Sequence, residues 1–150
     1  MRVETLSDLM DWTRSVHQQL AEALERDTGG SRDERLHMLA DYLSEHERML
    51  ARVLKQSEED TQKKTLDTWT YEFFRNIPLK ARESFDFHNQ DPDHLLGAVL
   101  DVHEKIIGLY RDLAEHAEVE STRELLENLL GLEEHEAMRM ARDYGRMQDL

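Results

Sequence analysis

Apolar residues recur at intervals of three and four along four long stretches, which is the signature of amphipathic helices rather than strands. The first stretch predicts a helix from about Ser7 to Arg26, with Leu6, Leu9, Thr13, Val16 or His17, Leu20 and Leu24 on one face. Asp27-Thr28-Gly29-Gly30 ends it, because glycine permits the left-handed turn that closes many helices, and Ser31 or Asp33 can cap the next one. The second helix repeats Leu36, Leu39, Leu43, His46, Leu50 and Val53 before dissolving into Gln56-Ser57-Glu58-Glu59-Asp60. Asp91-Pro92 joins an N-cap acid to a proline at the first helical position and opens a third helix that reaches about Ala117. The fourth starts near Ser121 or Thr122, with Glu124 in its first turn, and carries Leu125, Leu129, Leu132, His135 or Glu136, Met138 and Met140.

Short links make the first and second helices antiparallel neighbours, and likewise the third and fourth. The connection between the hairpins, Thr61 to Gln90, is long and holds Trp69, Tyr71, Phe73, Phe74, Phe85 and Phe87. It reads as a crossover with a short helix through Leu66 to Arg75, ended near Asn76-Ile77-Pro78 because the residue before a proline avoids helical geometry. The expectation is one all-α domain spanning residues 1–150, a four-helix bundle of two antiparallel hairpins joined by a crossover with a short extra helix.

Composition narrows the chemistry. With 33 acidic against 19 basic residues the formal net charge is −14, which repels phosphate backbones and anionic lipid and argues against nucleic-acid or membrane partners. The absence of cysteine excludes disulfides, thiolate metal sites and thiol catalysis, so any metal would rest on nitrogen and oxygen. The opening MRVETLSDLMDWTRSV has acids where a secretory leader needs an apolar stretch, and no segment has the length of a membrane span, so a cytoplasmic location is expected. There is no glycine-rich phosphate loop and no strand-turn scaffold for a serine nucleophile.

Four of the eight histidines, His17, His46, His103 and His135, fall near the middles of the four helices. The hairpins look duplicated: Leu43-Ser44-Glu45-His46-Glu47-Arg48-Met49 aligns with Leu132-Glu133-Glu134-His135-Glu136-Ala137-Met138 at an offset of 89 (135 − 46). Val16-His17 aligns with Val102-His103 at 86 (103 − 17), and Leu20 with Ile106 at the same offset. Folding the first hairpin about Gly29-Gly30 sets His17 roughly opposite Tyr42 and about one turn from His46. Four imidazoles in one interior layer would be ligands for iron, manganese, zinc, nickel or copper, with Glu47 and Glu136 completing the shell. His37, His88, His94 and His116 read as surface groups.

Hairpin, crossover, hairpin with duplicated interior histidines resembles the ferritin-like superfamily, in particular rubrerythrin-like proteins. Leu43-Ser44-Glu45-His46 and Leu132-Glu133-Glu134-His135 stand where that family has Glu-x-x-His. His46 and His135 match its histidine ligands, while His17 and His103 fall where it usually has glutamates. Leucine at 43 and 132 departs from the pattern, so the resemblance implies the fold and a nitrogen-rich metal site, not ferroxidase or peroxidase activity. Hemerythrin spacing is missing: four residues after His46, His103 and His135 come Leu50, Ile107 and Arg139.

The resulting expectation is a metal-binding protein with a mono- or dimetal site of His17, His46, His103 and His135, with Glu47 and Glu136 as carboxylate ligands. Iron is the first choice of ion, with manganese or zinc as alternatives. A redox metal would make the protein an oxidoreductase acting on a small-molecule oxidant, with Tyr42 near enough to donate a proton. The alternative is a metal-free bundle whose core histidines are only hydrogen-bonded and which associates, as a homodimer or with a partner, through the aromatic crossover or the methionine-rich fourth helix.

Overall fold

The computed structural model describes residues 3–68 and 85–149. These form five helices: α1 (Leu6–Thr28), α2 (Glu34–Asp60), α3 (Lys63–Leu66), α4 (Pro92–His116) and α5 (Glu120–Gln148). By internal contact the chain divides into two compact units, Met1–Leu95 and Leu96–Leu150. The first holds α1, α2, α3 and the first residues of α4; the second holds the rest of α4 and α5. None of the helices, among the described residues, is long and apolar enough to cross a membrane.

Local chemistry accounts for the starts of three helices. The Thr5 side chain accepts from the Asp8 amide while the Asp8 carboxylate accepts from the Thr5 amide, a reciprocal cap that satisfies two donors at the start of α1. Asp33 caps α2 by accepting from the amides of Arg35 and Leu36 at 3.0 and 3.3 Å. Asp91 does the same for α4, accepting from the His94 amide at 2.8 Å, with Pro92 at the first helical position as its sequence signals.

Other ends depart from the sequence reading. Gly29 is right-handed, at φ −60 and ψ −29, and among the described residues no glycine has a positive φ, so α1 ends without a left-handed turn. The polar run Gln56 to Asp60 stays helical, since a surface helix tolerates an all-polar last turn, and α2 stops only at Asp60. The α5 helix begins at Glu120 after Val119, which offers no side-chain cap. A four-residue helix, α3, spans Lys63–Leu66; the expected short helix at Leu66 to Arg75 falls mostly on residues 69–84, which with Trp69, Tyr71, Phe73 and Phe74 lie outside the described residues. Phe85 and Phe87 stack with ring centroids 6.1 Å apart.

In the first unit α1 and α2 pack side by side as an antiparallel hairpin. Ser7 Oγ, at the start of α1, donates to Glu58 Oε1, at the end of α2, at 2.7 Å. Beyond α3, the Thr68 carbonyl accepts from the Leu6 amide at 2.9 Å. The segment leading to α4 is tied back to the end of α1: the Phe87 amide donates to Asp27 Oδ2 at 2.8 Å and Arg26 donates to the Phe85 carbonyl at 2.9 Å. In the second unit α4 and α5 form the other hairpin, joined by a link of three residues.

The buried stripes follow helical geometry closely. On α1 it includes Leu6, Leu9, Thr13, Val16, His17, Leu20 and Leu24, as the spacing predicts, with Met10 and Trp12 buried besides. On α2 the stripe runs Leu36, Ala40, Leu43, Glu47, Leu50, Leu54, six positions over 18 residues, which is the 3.6-residue repeat of a straight helix. The series read from sequence, Leu36 to Val53 through His46, keeps closer to a heptad, and a straight helix drifts off such a line. His46 therefore lands on the flank, half-buried, and Val53 is exposed, while Glu47 and Leu54 are fully buried. On α5 the stripe is Thr122, Leu126, Leu129, Glu133, Glu136, Met140, each member 86 residues after its α2 counterpart.

Candidate metal centre

Each hairpin buries one histidine against one glutamate. In the first, α1 presents His17 and α2 presents Glu47; His17 Nδ1 and Glu47 Oε2 are 2.5 Å apart, and both side chains have zero exposure. An ionised carboxylate can only accept, so with Glu47 ionised the donor of this contact is His17 Nδ1. A carboxylate held against one ring nitrogen fixes the orientation of the imidazole.

The second hairpin repeats the arrangement. His103 of α4 and Glu133 of α5 are in contact through Nδ1 and Oε2 at 2.9 Å, again with zero exposure on both sides. In both pairs the partners are 30 residues apart, and both members shift by the same 86 positions (103 − 17 and 133 − 47). Taking ionisable groups out of water is costly unless they are paired, and here each is paired within its own hairpin.

The structure brings together some of the expected residues and not others. His17, His103 and Glu47 are buried and belong to the pairs. Glu136 is also buried, 3% exposed, one turn beyond Glu133 on α5, with Arg139 Nη1 3.8 Å from its carboxylate. His46 is half-buried and lies against Tyr42 of the same helix, ring centroids 4.3 Å apart. His135 is exposed. His46 and His135 thus sit off the buried stripes of α2 and α5.

Glu133 was missed, and a signal for it existed. The offset of 86 that relates His17 to His103 also carries Glu47 onto Glu133, and the offset of 89 suggested by the similar heptapeptides misaligns α2 and α5 by three residues. Identity favoured His46 with His135, whereas burial follows the other register.

A second group of potential ligands, Asp27, Asp86 and His88, gathers where the segment before α4 meets the end of α1. Asp27 has a fully buried carboxylate held by Arg26 Nε and Nη2 at 2.7 and 3.0 Å, by the Phe87 amide, and by His88 Nε2 at 3.4 Å. The Arg26 guanidinium keeps the Asp27 carboxyl below the usual carboxylate range, and the Phe87 amide adds to this against the opposing effect of desolvation. With its charge already answered by a guanidinium, Asp27 works as a strut that pins the incoming segment rather than as a ligand. His37, His94 and His116 serve locally: His37 Nε2 meets the Ser31 carbonyl, His94 pairs with the Asp91 cap, and His116 Nδ1 donates to the Asp112 carbonyl at 2.7 Å.

The donor set of the pairs, imidazole nitrogen and carboxylate oxygen without sulfur, fits iron, manganese or zinc. Comparison with known proteins finds no matching family model, no matching curated protein and no matching solved structure.

Proposed function

We propose that this chain is a metal-binding protein of ferritin-like, four-helix-bundle architecture, and that its two buried histidine–glutamate pairs, His17–Glu47 and His103–Glu133, supply the ligands. The observation that carries the proposal is the duplication of a buried, carboxylate-oriented imidazole, with all four side chains fully withdrawn from solvent. Replacing a buried ion pair by apolar side chains of similar size is often neutral or stabilising, so two such pairs in one small chain suggest a use beyond stability. Glu136, buried beside Glu133 where the first hairpin has Leu50, gives the second hairpin one more carboxylate. Iron suits this donor set, as do manganese and zinc; a redox-active ion would add oxidoreductase chemistry with a small-molecule oxidant.

The test is elemental analysis of purified protein after growth with iron, manganese and zinc, followed by titration of stripped protein with each ion. Bound metal near one or two equivalents, a higher melting temperature with the ion, and loss of both effects in His17→Ala and His103→Ala would support the proposal. Metal at background together with an unchanged melting temperature would overturn it.

One observation favours a second reading. Both imidazoles have a carboxylate partner within the chain, as expected of a helical protein whose core histidines are structural. The same titration separates the two, since only the metal reading predicts stabilisation by an added cation.

A further inference from the structure

The first hairpin carries a concentration of positive charge that the chain as a whole does not. A groove of about 450 Å3 between α1 and α2 is lined by Arg14, Gln18, Arg48, Ala51, Arg52 and Lys55, four cations and no acid in a protein of net charge −14. Helical spacing creates it. Arg14 and Gln18 are one turn apart on α1, and Arg48, Arg52 and Lys55 follow one another at four and three residues on α2, so each set shares a face. Ala51, 4% exposed, lies among them with a side chain too short to fill the space.

The four cations are not equally engaged. Arg48 grips Glu25 through two hydrogen bonds of 3.1 and 2.8 Å. Arg14 contacts Asp11 at 3.1 Å and approaches Glu58 at 3.9 Å. Arg52 and Lys55 are exposed and form no ion pair among the described residues. Two uncommitted cations thus stand one turn apart on α2, a separation of about 5–6 Å at Cβ, with the ion-paired Arg48 on the same helix and Arg14 and Gln18 on α1.

We propose that this groove binds a small soluble anion bearing two adjacent phosphoryl groups, with Arg52 and Lys55 each taking one and Gln18 hydrogen-bonding across the groove. A guanidinium fork matches phosphate oxygens in geometry as well as charge. The groove also falls within the range of small-molecule sites, roughly 300–1,000 Å3. The overall charge selects the size of the ligand. Screening acts over about 8 Å at physiological ionic strength, so a small anion responds to the four local cations, while an extended polyanion or an anionic bilayer meets the surrounding acids as well.

The experiment is a titration of the full chain with inorganic pyrophosphate in physiological salt, followed by calorimetry and by backbone amide NMR. Saturable binding is expected, with shifts centred on Gln18, Ala51 and Arg52, and an affinity at least tenfold weaker in Arg52→Glu/Lys55→Glu. A control with the same change of net charge elsewhere on the surface, Arg32→Glu/Lys64→Glu, should bind as the parent does. Absence of saturable binding, equal loss in the control, or shifts centred away from α1 and α2 would each overturn the proposal. All four substitutions are at exposed positions, and an unchanged helical circular dichroism spectrum checks that the variants fold.

Discussion

His17 Nδ1 of α1 and Glu47 Oε2 of α2 are 2.5 Å apart with neither side chain exposed. The pair replaces an apolar contact at the centre of a hairpin whose neighbouring interior positions are Val16, Leu20, Leu43 and Leu50. The same relationship recurs between His103 and Glu133 in the second hairpin. Each side chain is buried with a partner of complementary chemistry, so the members of a pair should be energetically inseparable.

A double-mutant cycle measures that dependence. Replacing His17 alone by leucine leaves a buried carboxylate without its donor and should cost about 3–5 kcal/mol, and Glu47→Leu alone should also destabilise. His17→Leu/Glu47→Leu should be less destabilised than the His17 single variant. Denaturant unfolding of the four proteins gives the coupling, and simple additivity would contradict it. The cycle at His103 and Glu133 should behave alike.

His135 offers the opposite expectation. Its side chain is exposed on α5, so His135→Ala should change stability by no more than about 0.5 kcal/mol and leave the proposed metal binding intact. Loss of metal in that variant, measured by elemental analysis, would return His135 to the ligand set.

Asp27 predicts an acid-sensitive contact. Its carboxyl is held below the ordinary value of 3.8, first by the Arg26 guanidinium and then by the Phe87 amide. A depressed folded value means that the stabilisation is complete above the unfolded value and is lost as pH falls through the lower folded one. Asp27→Asn should therefore be less stable than the parent at neutral pH, by about 1–3 kcal/mol. The gap should narrow below pH 3.8, as followed by chemical unfolding across that range.

The cap of α1 is a separate, local prediction. Thr5→Ala removes the acceptor for the Asp8 amide and should cost about 1 kcal/mol, visible as a lower melting temperature. Hydrogen exchange should quicken at the first turn of α1 before it does in α2.

The sequence alone determined the helical class, the antiparallel hairpins and several helix starts, because each depends on neighbours within a turn or two: apolar residues three and four apart, Asp33 before α2, Asp91-Pro92 before α4. It also singled out His17 and His103, which lie on stripes that stay in phase with their apolar neighbours, and named Glu47 beside His46 as a carboxylate candidate. Tertiary structure decided which face of α2 and of α5 turns inward. A 3.6-residue repeat and a heptad start together and separate by a residue within a few turns, enough to exchange His46 for Glu47 and His135 for Glu133 or Glu136. A glutamate in a helix ordinarily belongs to the solvent side, and a histidine 30 residues away in the chain offsets the cost of burying this one. That partner is a property of how two helices pack, so local patterning of α5 could not reveal Glu133.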